Sequence, residues 1–129
     1  MVDRECAEAT IYAALAPVAE PLAKANGELK TATMWLMQNG MLSTNNAGAG
    51  AHHYMHIMGI VALGLMWLRM AEVSAKALVA GAADAPFYEA KIVTARYFAE
   101  RFIPDAGALR RKIEAGAAAI RQKRPRCQA

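Results

Sequence analysis

Residues 52–80 read HHYMHIMGIVALGLMWLRMAEVSAKALVA and contain no proline. Only Gly59 and Gly64 interrupt a series of residues that form helices readily, and Gly81 follows as a residue suited to a helix C-terminus. Alternating runs of Val, Ile and Thr, the pattern of strands, are absent from the chain. The run therefore predicts one long helix of nearly thirty residues, the main element of an all-α fold.

Two helices are predicted before this run. Apolar residues recur every three or four positions, the spacing of one helix face, at Tyr12, Leu15, Val18, Leu22, Ala25, Leu29, Ala32 and Leu36. Pro17 and Pro21 have no backbone N–H to donate, so a break is predicted near them, between a short helix over 3–16 and a second over 21–42. Residues 43–50, STNNAGAG, combine capping residues with two glycines and predict the turn before the long helix.

A fourth helix is predicted after the long one. Asp84 and Pro86 are suited to an N-cap and to the first helical turn. The predicted buried stripe consists of Ala95, Phe98, Phe102, Ala106, Leu109, Ile113, Ala117 and Ile120. Because the stripe keeps its phase across Pro104, we expect a kink there and not a helix end. The sequence thus predicts an all-α, up-and-down four-helix bundle over residues 1–120, with a short first helix and three long ones.

Length, charge and cysteine usage narrow the class of protein. A chain of 129 residues fits one domain. The N-terminus lacks the pattern of a secretion signal, and Cys6 and Cys127 lie far apart in the sequence, so we expect a cytoplasmic protein. The net charge is +4, and four positive charges lie close together at Arg121, Lys123, Arg124 and Arg126. Without interleaved aromatic residues, residues 121–129 predict a disordered basic tail and no nucleic-acid partner.

The uncharged run over 47–68 has the length of a membrane span, 22 residues. It opens with two glycines and three histidines, and its continuously apolar part, 57–68, is only twelve residues long. That length is better matched to the buried middle of a core helix. We therefore expect no membrane partner, and a small membrane-associated protein is the weakest of the alternatives.

Three histidines, His52, His53 and His56, have a spacing that could suit a metal site. His52 and His56 lie four positions apart, on one helix face, with His53 turned away. Two imidazoles do not complete a site, and neither a nearby cysteine nor the Glu of the zinc-protease motif is present, so a polar helix start is favoured and the role of these histidines stays open. A Glu-x-x-His motif, a phosphate-binding glycine loop and a nucleophile elbow are also absent. The sequence predicts no catalytic, cofactor-binding or metal-binding residue.

The methionines form the other conspicuous group. Seven of them fall on the second and third predicted helices, at Met34, Met37, Met41, Met55, Met58, Met66 and Met70. Flexible thioethers can line a ligand groove or an interface, but they also fill cores well. Core filling is the favoured interpretation. A free-standing protein that binds an apolar ligand, such as an acyl chain, between these two helices is the alternative.

Several short segments carry a family resemblance. They are TATMWL at 31–36, WLRMA at 67–71, FYEAK at 87–91, ARYF at 95–98 and Ile103-Pro104. In this order and spacing, along roughly residues 4–120, they resemble the extra C-terminal domain of a bacterial subfamily of FAD-dependent acyl-CoA dehydrogenases. The resemblance implies a helical module appended after the flavin-binding body of an oxidoreductase of fatty acid metabolism.

The resemblance also implies where the chemistry lies. In such enzymes the glutamate base, the flavin contacts and most of the acyl pocket belong to the upstream body, and nothing in this chain matches the Tyr-Glu-Gly-Thr segment that carries the base. No catalytic residue and no FAD site are therefore expected in this chain. The expected role is a structural and interaction module that packs on the dehydrogenase body, in cis or in trans.

Self-association is a further expectation. Trp35 is next to the inward Leu36, and Trp67 is next to Leu68, so the second and third helices are predicted to present apolar groups on two sides. One side would face the bundle and the other a second chain. We therefore expect a homo-oligomer.

Overall fold

The computed structural model describes residues 1–9 and 12–120. The described helices are α1 Val2–Ala9, a short 3-10 turn at Ala13–Leu15, α2 Ala16–Gly40, α3 Thr44–Val79, α4 Ala85–Arg101 and α5 Asp105–Glu114. This part of the chain contains no strand. Together α4 and α5 form the fourth helix of a four-helix bundle with one short and three long helices, which confirms the predicted fold class.

Contacts between the helices establish the up-and-down order. At the hairpin between α2 and α3, the Thr33 and Tyr54 hydroxyls are hydrogen-bonded at 2.8 Å. The long helix α3 packs against α1, α2, α4 and α5 and is therefore the centre of the bundle. On α1, Asp3 accepts a hydrogen bond of 2.8 Å from Asn26 Nδ2 of α2. On the other side of the molecule, Gly50 of α3 lies beside Ile113 of α5.

The break between the first two helices lies earlier than predicted. Helix α1 ends at Ala9 and α2 begins at Ala16, so the helices predicted over 3–16 and 21–42 are wrong in their shared boundary. Tyr12 has an extended backbone, with φ −98° and ψ 109°, and α2 then carries a proline in its first turn and Pro21 within it. A proline in the first turn loses no intrahelical hydrogen bond, so it marks the beginning of a helix here.

The turn predicted at residues 43–50 is also wrong, because α3 begins at Thr44. The connection from α2 is short, and Ser43 is its extended residue, with φ −150° and ψ 112°. A Cβ added to Gly50 would lie 3.2 Å from Leu36 Cδ2 and 3.3 Å from Ile113 Cγ2. This glycine therefore allows close helix packing within α3 and does not form a turn.

The predicted end of the long helix is confirmed. Gly81 has φ 76°, the left-handed conformation that glycine adopts without strain. Its N–H donates to the Leu78 carbonyl, and the Ala82 N–H donates to the Ala77 carbonyl, both at 3.1 Å. These two bonds satisfy carbonyls that a helix terminus leaves free. The next helix begins at Ala85, directly after the predicted N-cap Asp84.

The expectation of a kink at Pro104 and not a helix end is wrong, because α4 ends at Arg101 and α5 begins at Asp105. The Asp105 N–H donates to the Phe102 carbonyl at 3.2 Å, so the hydrogen bonds tighten around Pro104 and divide the helix into α4 and α5. The buried stripe shifts as a result: Phe102 is exposed, and Ile103 is buried in its place. Helix α5 ends at Glu114, so Ile120 lies beyond it and is exposed. The predicted basic tail, 121–129, lies outside the described residues.

The core consists of branched and small side chains. The largest fully buried ones are Leu15, Leu22, Ile57, Leu68, Ile113 and Val18. Buried alanines at Ala32, Ala71 and Ala95 let the helices approach closely. The buried set contains no methionine.

Candidate interaction surface

Helix α3 carries large apolar side chains on the face that points away from the core. We name this face the outer ridge: Gly59, Ala62, Leu63, Met66, Met70 and Val73, all exposed. These positions recur every three or four residues, so they lie along one side of the helix. The opposite side of α3 holds buried residues such as Ile57, Val61 and Leu68. Both faces of the helix are therefore apolar.

The outer ridge lies between α1 and α4. On one flank, Arg69 donates two hydrogen bonds to the Glu5 carboxylate of α1, at 2.7 and 2.5 Å. On the other flank, Met70 and Val73 share a groove with Tyr88 of α4. Neither neighbour covers the ridge itself, so Leu63 remains 55% exposed.

A second apolar surface lies at the α2–α3 hairpin. We name it the hairpin patch, and it consists of Met34, Met37, Met41, Leu42, Met55 and Met58, all exposed. Lys30 of α2 pairs with Asp3 of α1. Met37 lies two helical turns after Lys30 on the same face of α2. The side-chain hydrogen bonds between α1 and α2 are at Asn26 and Lys30, and the patch begins beyond them at Met34.

The hairpin patch belongs to an uncharged part of the chain. Residues 31–68 contain no Asp, Glu, Lys or Arg. The long-range ion pairs lie elsewhere: Arg69 with Glu5, Lys30 with Asp3, and Arg110 with Glu28. A protein that covered the patch would therefore have no charged side chain of this segment to desolvate or to pair.

The comparison with known families decides the identity of the domain. The chain matches the family described as acetyl-CoA dehydrogenase C-terminal like over residues 1–122. It belongs to that family. This confirms the resemblance seen in the sequence. No curated protein gave a match to the chain.

The exposure of the methionines in this acetyl-CoA dehydrogenase C-terminal-like domain contradicts their predicted role. All eight methionines are exposed, Met41 by 86% and Met37 by 58%, so their interpretation as core filling is wrong. The tryptophans behave in the opposite way: Trp35 and Trp67 are partly buried against the core. The second apolar side of the two helices is therefore formed by methionines, while the tryptophans belong to the bundle.

The histidines cluster as their spacing predicts. The His52 and His56 rings lie 4.5 Å apart, and the His53 ring lies 5.4 Å from that of His52. Burial lowers the pKa of His53, and the positive charge of Lys112 adds to the effect. Within residues 1–9 and 12–120, no group of three or more His, Cys, Asp or Glu side chains could hold a metal ion.

Cys6 is equally unsuited to catalysis. It is only 4% exposed. Burial raises the pKa of its thiol to about 11, and the nearby carboxylates of Asp3 and Glu5 add to this shift. Since the thiolate is the nucleophilic form, Cys6 is inert at neutral pH.

Two surface grooves in the described part of the chain could hold a small molecule. The groove between α3 and α4 has a volume of about 370 Å³ and is lined by Arg69, Met70, Val73, Ser74, Phe87, Tyr88 and Lys91. The groove between α2 and α5 has about 510 Å³, and the carboxylates of Glu20 and Glu28 line it together with Lys24 and Arg111. The apolar groove thus lies beside α4 and not, as the sequence suggested, between the methionine-rich helices α2 and α3.

Helix α3 is also long and apolar enough to cross a membrane, with a mean hydropathy of 1.5 over its best window. Of that window, 39% is buried inside the protein. The core helix of a bundle meets the same criteria of length and composition, so this property is weak support for a membrane span.

Proposed function

We propose that this chain is a non-catalytic accessory domain of a FAD-dependent acyl-CoA dehydrogenase and that it packs on the dehydrogenase body. Membership of the C-terminal-like family supports the enzyme class. The hairpin patch supports the packing role and is the single observation on which it rests: six large apolar side chains are exposed at one end of an uncharged hairpin. Contiguous apolar surface of this kind marks interaction sites.

The chemistry of the patch defines what can cover it. Its side chains are five methionines and one leucine, and residues 31–68, which include all six, contain no Asp, Glu, Lys or Arg. Flexible thioethers adapt their shape to a partner surface better than branched side chains do. The matching surface on the body is therefore apolar and uncharged, such as one face of an amphipathic helix laid beside α2 and α3.

The described residues do not fit FAD. Pyrophosphate is bound by backbone N–H groups at a glycine-rich turn and a helix N-terminus. The α2–α5 groove includes Pro104 and Gly107 at the beginning of α5, but its lining has a single glycine, and the carboxylates of Glu20 and Glu28 offset the positive charges of Lys24 and Arg111. The α3–α4 groove is apolar. The proposed role therefore leaves flavin binding and catalysis to the body.

The experiment that tests the proposal is co-expression with the acyl-CoA dehydrogenase body encoded in the same transcript. We expect one complex on size-exclusion chromatography, with FAD bound to the body alone. Met37→Glu places a charge in the hairpin patch, where its burial is costly, and is expected to abolish the complex. Val93→Glu is the matched control, because Val93 is an exposed apolar residue of α4 outside the patch.

Two outcomes would contradict the proposal. One is a complex that survives Met37→Glu as well as it survives Val93→Glu. The other is FAD bound to the isolated chain, or oxidation of an acyl-CoA by the isolated chain with an artificial electron acceptor.

The α3–α4 groove favours a second candidate function, the binding of an acyl chain by a free-standing protein. Its volume of about 370 Å³ falls within the range of ligand pockets, and its lining is apolar. The Lys91 ammonium lies 5.2 Å from the Phe87 ring centroid, where it could face a carboxylate. Titration with a fluorescent fatty acid separates the two functions, because only this one predicts saturable binding that Lys91→Gln weakens.

A further inference from the structure

We propose that the outer ridge of α3 packs antiparallel against the outer ridge of a second copy of this chain, which makes the domain a two-fold homodimer. The ridge adjoins the hairpin patch at Met55, which lies one helical turn before Gly59 on the same face of α3, but it shares no residue with the patch. The inference therefore does not depend on docking to the dehydrogenase body. It rests on the shape of the ridge, on one glycine and on the distribution of charge.

The shape of the ridge is complementary to itself in one orientation only. Small residues, Gly59 and Ala62, lie toward its N-terminal end, and the long side chains of Met66 and Met70 lie toward its C-terminal end. When two ridges run antiparallel about a two-fold axis near residue 64, Gly59 of one copy faces Met70 of the other, and Ala62 faces Met66. Each methionine then fills a notch, as ridges fill grooves between packed helices. A parallel pair would place methionine on methionine and leave the notches empty.

Packing within its own chain does not require Gly59. A Cβ added there meets no atom within 4 Å, as at Gly27 of α2 and Gly48 of α3, but of these three helical glycines Gly59 lies on the outer ridge. Glycine inside a helix costs about 1 kcal/mol relative to alanine. The contrast with Gly64 is direct, because a Cβ on that residue would lie 2.8 Å from Leu22 Cδ1. Gly64 is required by the bundle, whereas Gly59 leaves an open notch on the ridge that a second chain can use.

The charges around the ridge favour a protein partner over a membrane surface. No Asp, Glu, Lys or Arg lies on α3 between its first residue and Leu68, so burying the ridge desolvates no ion in this stretch. Two of the three cations near its C-terminal end are paired with carboxylates, Arg69 with Glu5 and Lys76 with Glu72 at 2.8 Å. The third, Lys91 of α4, lies over the Phe87 ring at 5.2 Å from its centroid, so among the described residues one cation beside the ridge is paired with a ring and not with a carboxylate. A helix that binds anionic lipid usually presents free Lys and Arg beside its apolar face.

A second copy also fits the size of the surface. The ridge is one helix wide, and stable interfaces bury about 800 Å² on each partner. A pair of single ridges falls toward the lower limit, so we expect a dimer that forms at micromolar concentration and not an obligate one. In this register Val73 of one copy faces Met55 of the other, so the dimer covers that residue of the hairpin patch and leaves Met34, Met37 and Met41 of α2 free for the dehydrogenase body.

Sedimentation equilibrium of the full chain tests the inference. We expect a monomer–dimer equilibrium with a micromolar dissociation constant. Gly59→Leu fills the notch, and Met66→Glu places a charge opposite Ala62 of the other copy, so each is expected to weaken the dimer at least tenfold, or about 1.4 kcal/mol. Both residues are exposed, and circular dichroism checks that the variants remain folded. Met37→Glu, in the hairpin patch, is the matched control and is expected to leave the dimer unchanged.

Methionine oxidation by dilute peroxide gives a second measurement. With rising protein concentration, Met66 and Met70 are expected to become protected relative to Met41, which lies outside the ridge. The inference is wrong if the chain stays monomeric throughout, if Met37→Glu dissociates the dimer while Gly59→Leu does not, or if the chain binds anionic phosphatidylglycerol vesicles through Met66 as a monomer. None of these results bears on the complex with the dehydrogenase body, whose test uses the hairpin patch.

Discussion

The two faces of α3 are similarly apolar but are built from different side chains. The buried face holds Ile57, Val61, Leu65 and Leu68. The exposed face holds methionines, with Leu63 and Val73 among them. Close-packed interiors reward side chains of fixed shape, because every unfilled gap loses contacts. A surface that meets a separate molecule gains more from flexible thioethers. Hydrophobicity alone therefore does not identify the core of this bundle. The methionines are all exposed, while branched side chains occur on both faces.

The strongest test of the difference between the two faces of α3 is to truncate one leucine on each face. Leu68 is 1% exposed and Leu63 is 55% exposed, and both lie on α3. Leu68→Ala leaves a cavity in the core, and we expect it to lower the free energy of unfolding by about 3 kcal/mol. Leu63→Ala is expected to cost less than about 1 kcal/mol, since its side chain is already in water.

Urea denaturation of the two variants, followed by circular dichroism, measures this difference. The measurement is made at a protein concentration where the chain is monomeric, so that no dimer contributes. Equal losses of stability in the two variants would show that the outer ridge is part of the folded core, and the distinction between the faces would then fail.

A pair of glycines sharpens the same comparison. At Gly64, an added side chain meets Leu22 and Ile103, both buried, so Gly64→Val is expected to cost about 2 kcal/mol through overpacking. Gly59→Ala meets no atom within 4 Å and is expected to stabilise the monomer by about 0.5–1 kcal/mol through helix propensity. Thermal unfolding of both variants and of the unsubstituted chain measures whether each substitution raises or lowers the stability of the fold. A destabilised Gly59→Ala monomer would mean that this glycine serves its own fold.

The sequence predicts the fold class and some of the helix ends but not the position of every boundary. The beginning of α4 after Asp84 and the end of α3 at Gly81 follow from local chemistry, because a proline in the first helical turn and a left-handed glycine act within a few residues, although the Asp84 side chain forms no capping hydrogen bond. The turn predicted at 43–50 is wrong, and one of its glycines, Gly50, is required by distant packing. Gly50 is small so that Leu36 and Ile113 can approach it, and no local pattern reveals those neighbours.

The interaction surfaces were harder to predict than the helices. Periodicity identifies an apolar face, but α3 is apolar on two sides, so the pattern does not say which side is buried. Exposure depends on which side of a helix its neighbours cover, and Met37 is 58% exposed. The signal that could have found the hairpin patch is the absence of charge over residues 31–68 combined with the methionine cluster. Together these features indicate an apolar surface.

The smallest effect concerns Cys6, which extends the comparison to the buried side of α1. Burial raises the pKa of its thiol from its ordinary value of 9.0 to about 11 in the folded chain. The unfolded chain therefore releases this proton first, so the contribution of Cys6 to stability is complete below about pH 9 and is lost as the pH rises toward 11. One unit of pKa shift corresponds to about 1.4 kcal/mol, so we expect a loss of about 1 kcal/mol at pH 10.

Lysines and tyrosines also titrate in this range. Cys6→Ala is the control, because this variant keeps every lysine and tyrosine and lacks only the thiol. Urea denaturation at pH 7 and pH 10 should show a loss of stability larger by about 1 kcal/mol in the unsubstituted chain than in Cys6→Ala. Equal losses would mean that water reaches the Cys6 thiol and that α1 is not closed against the core.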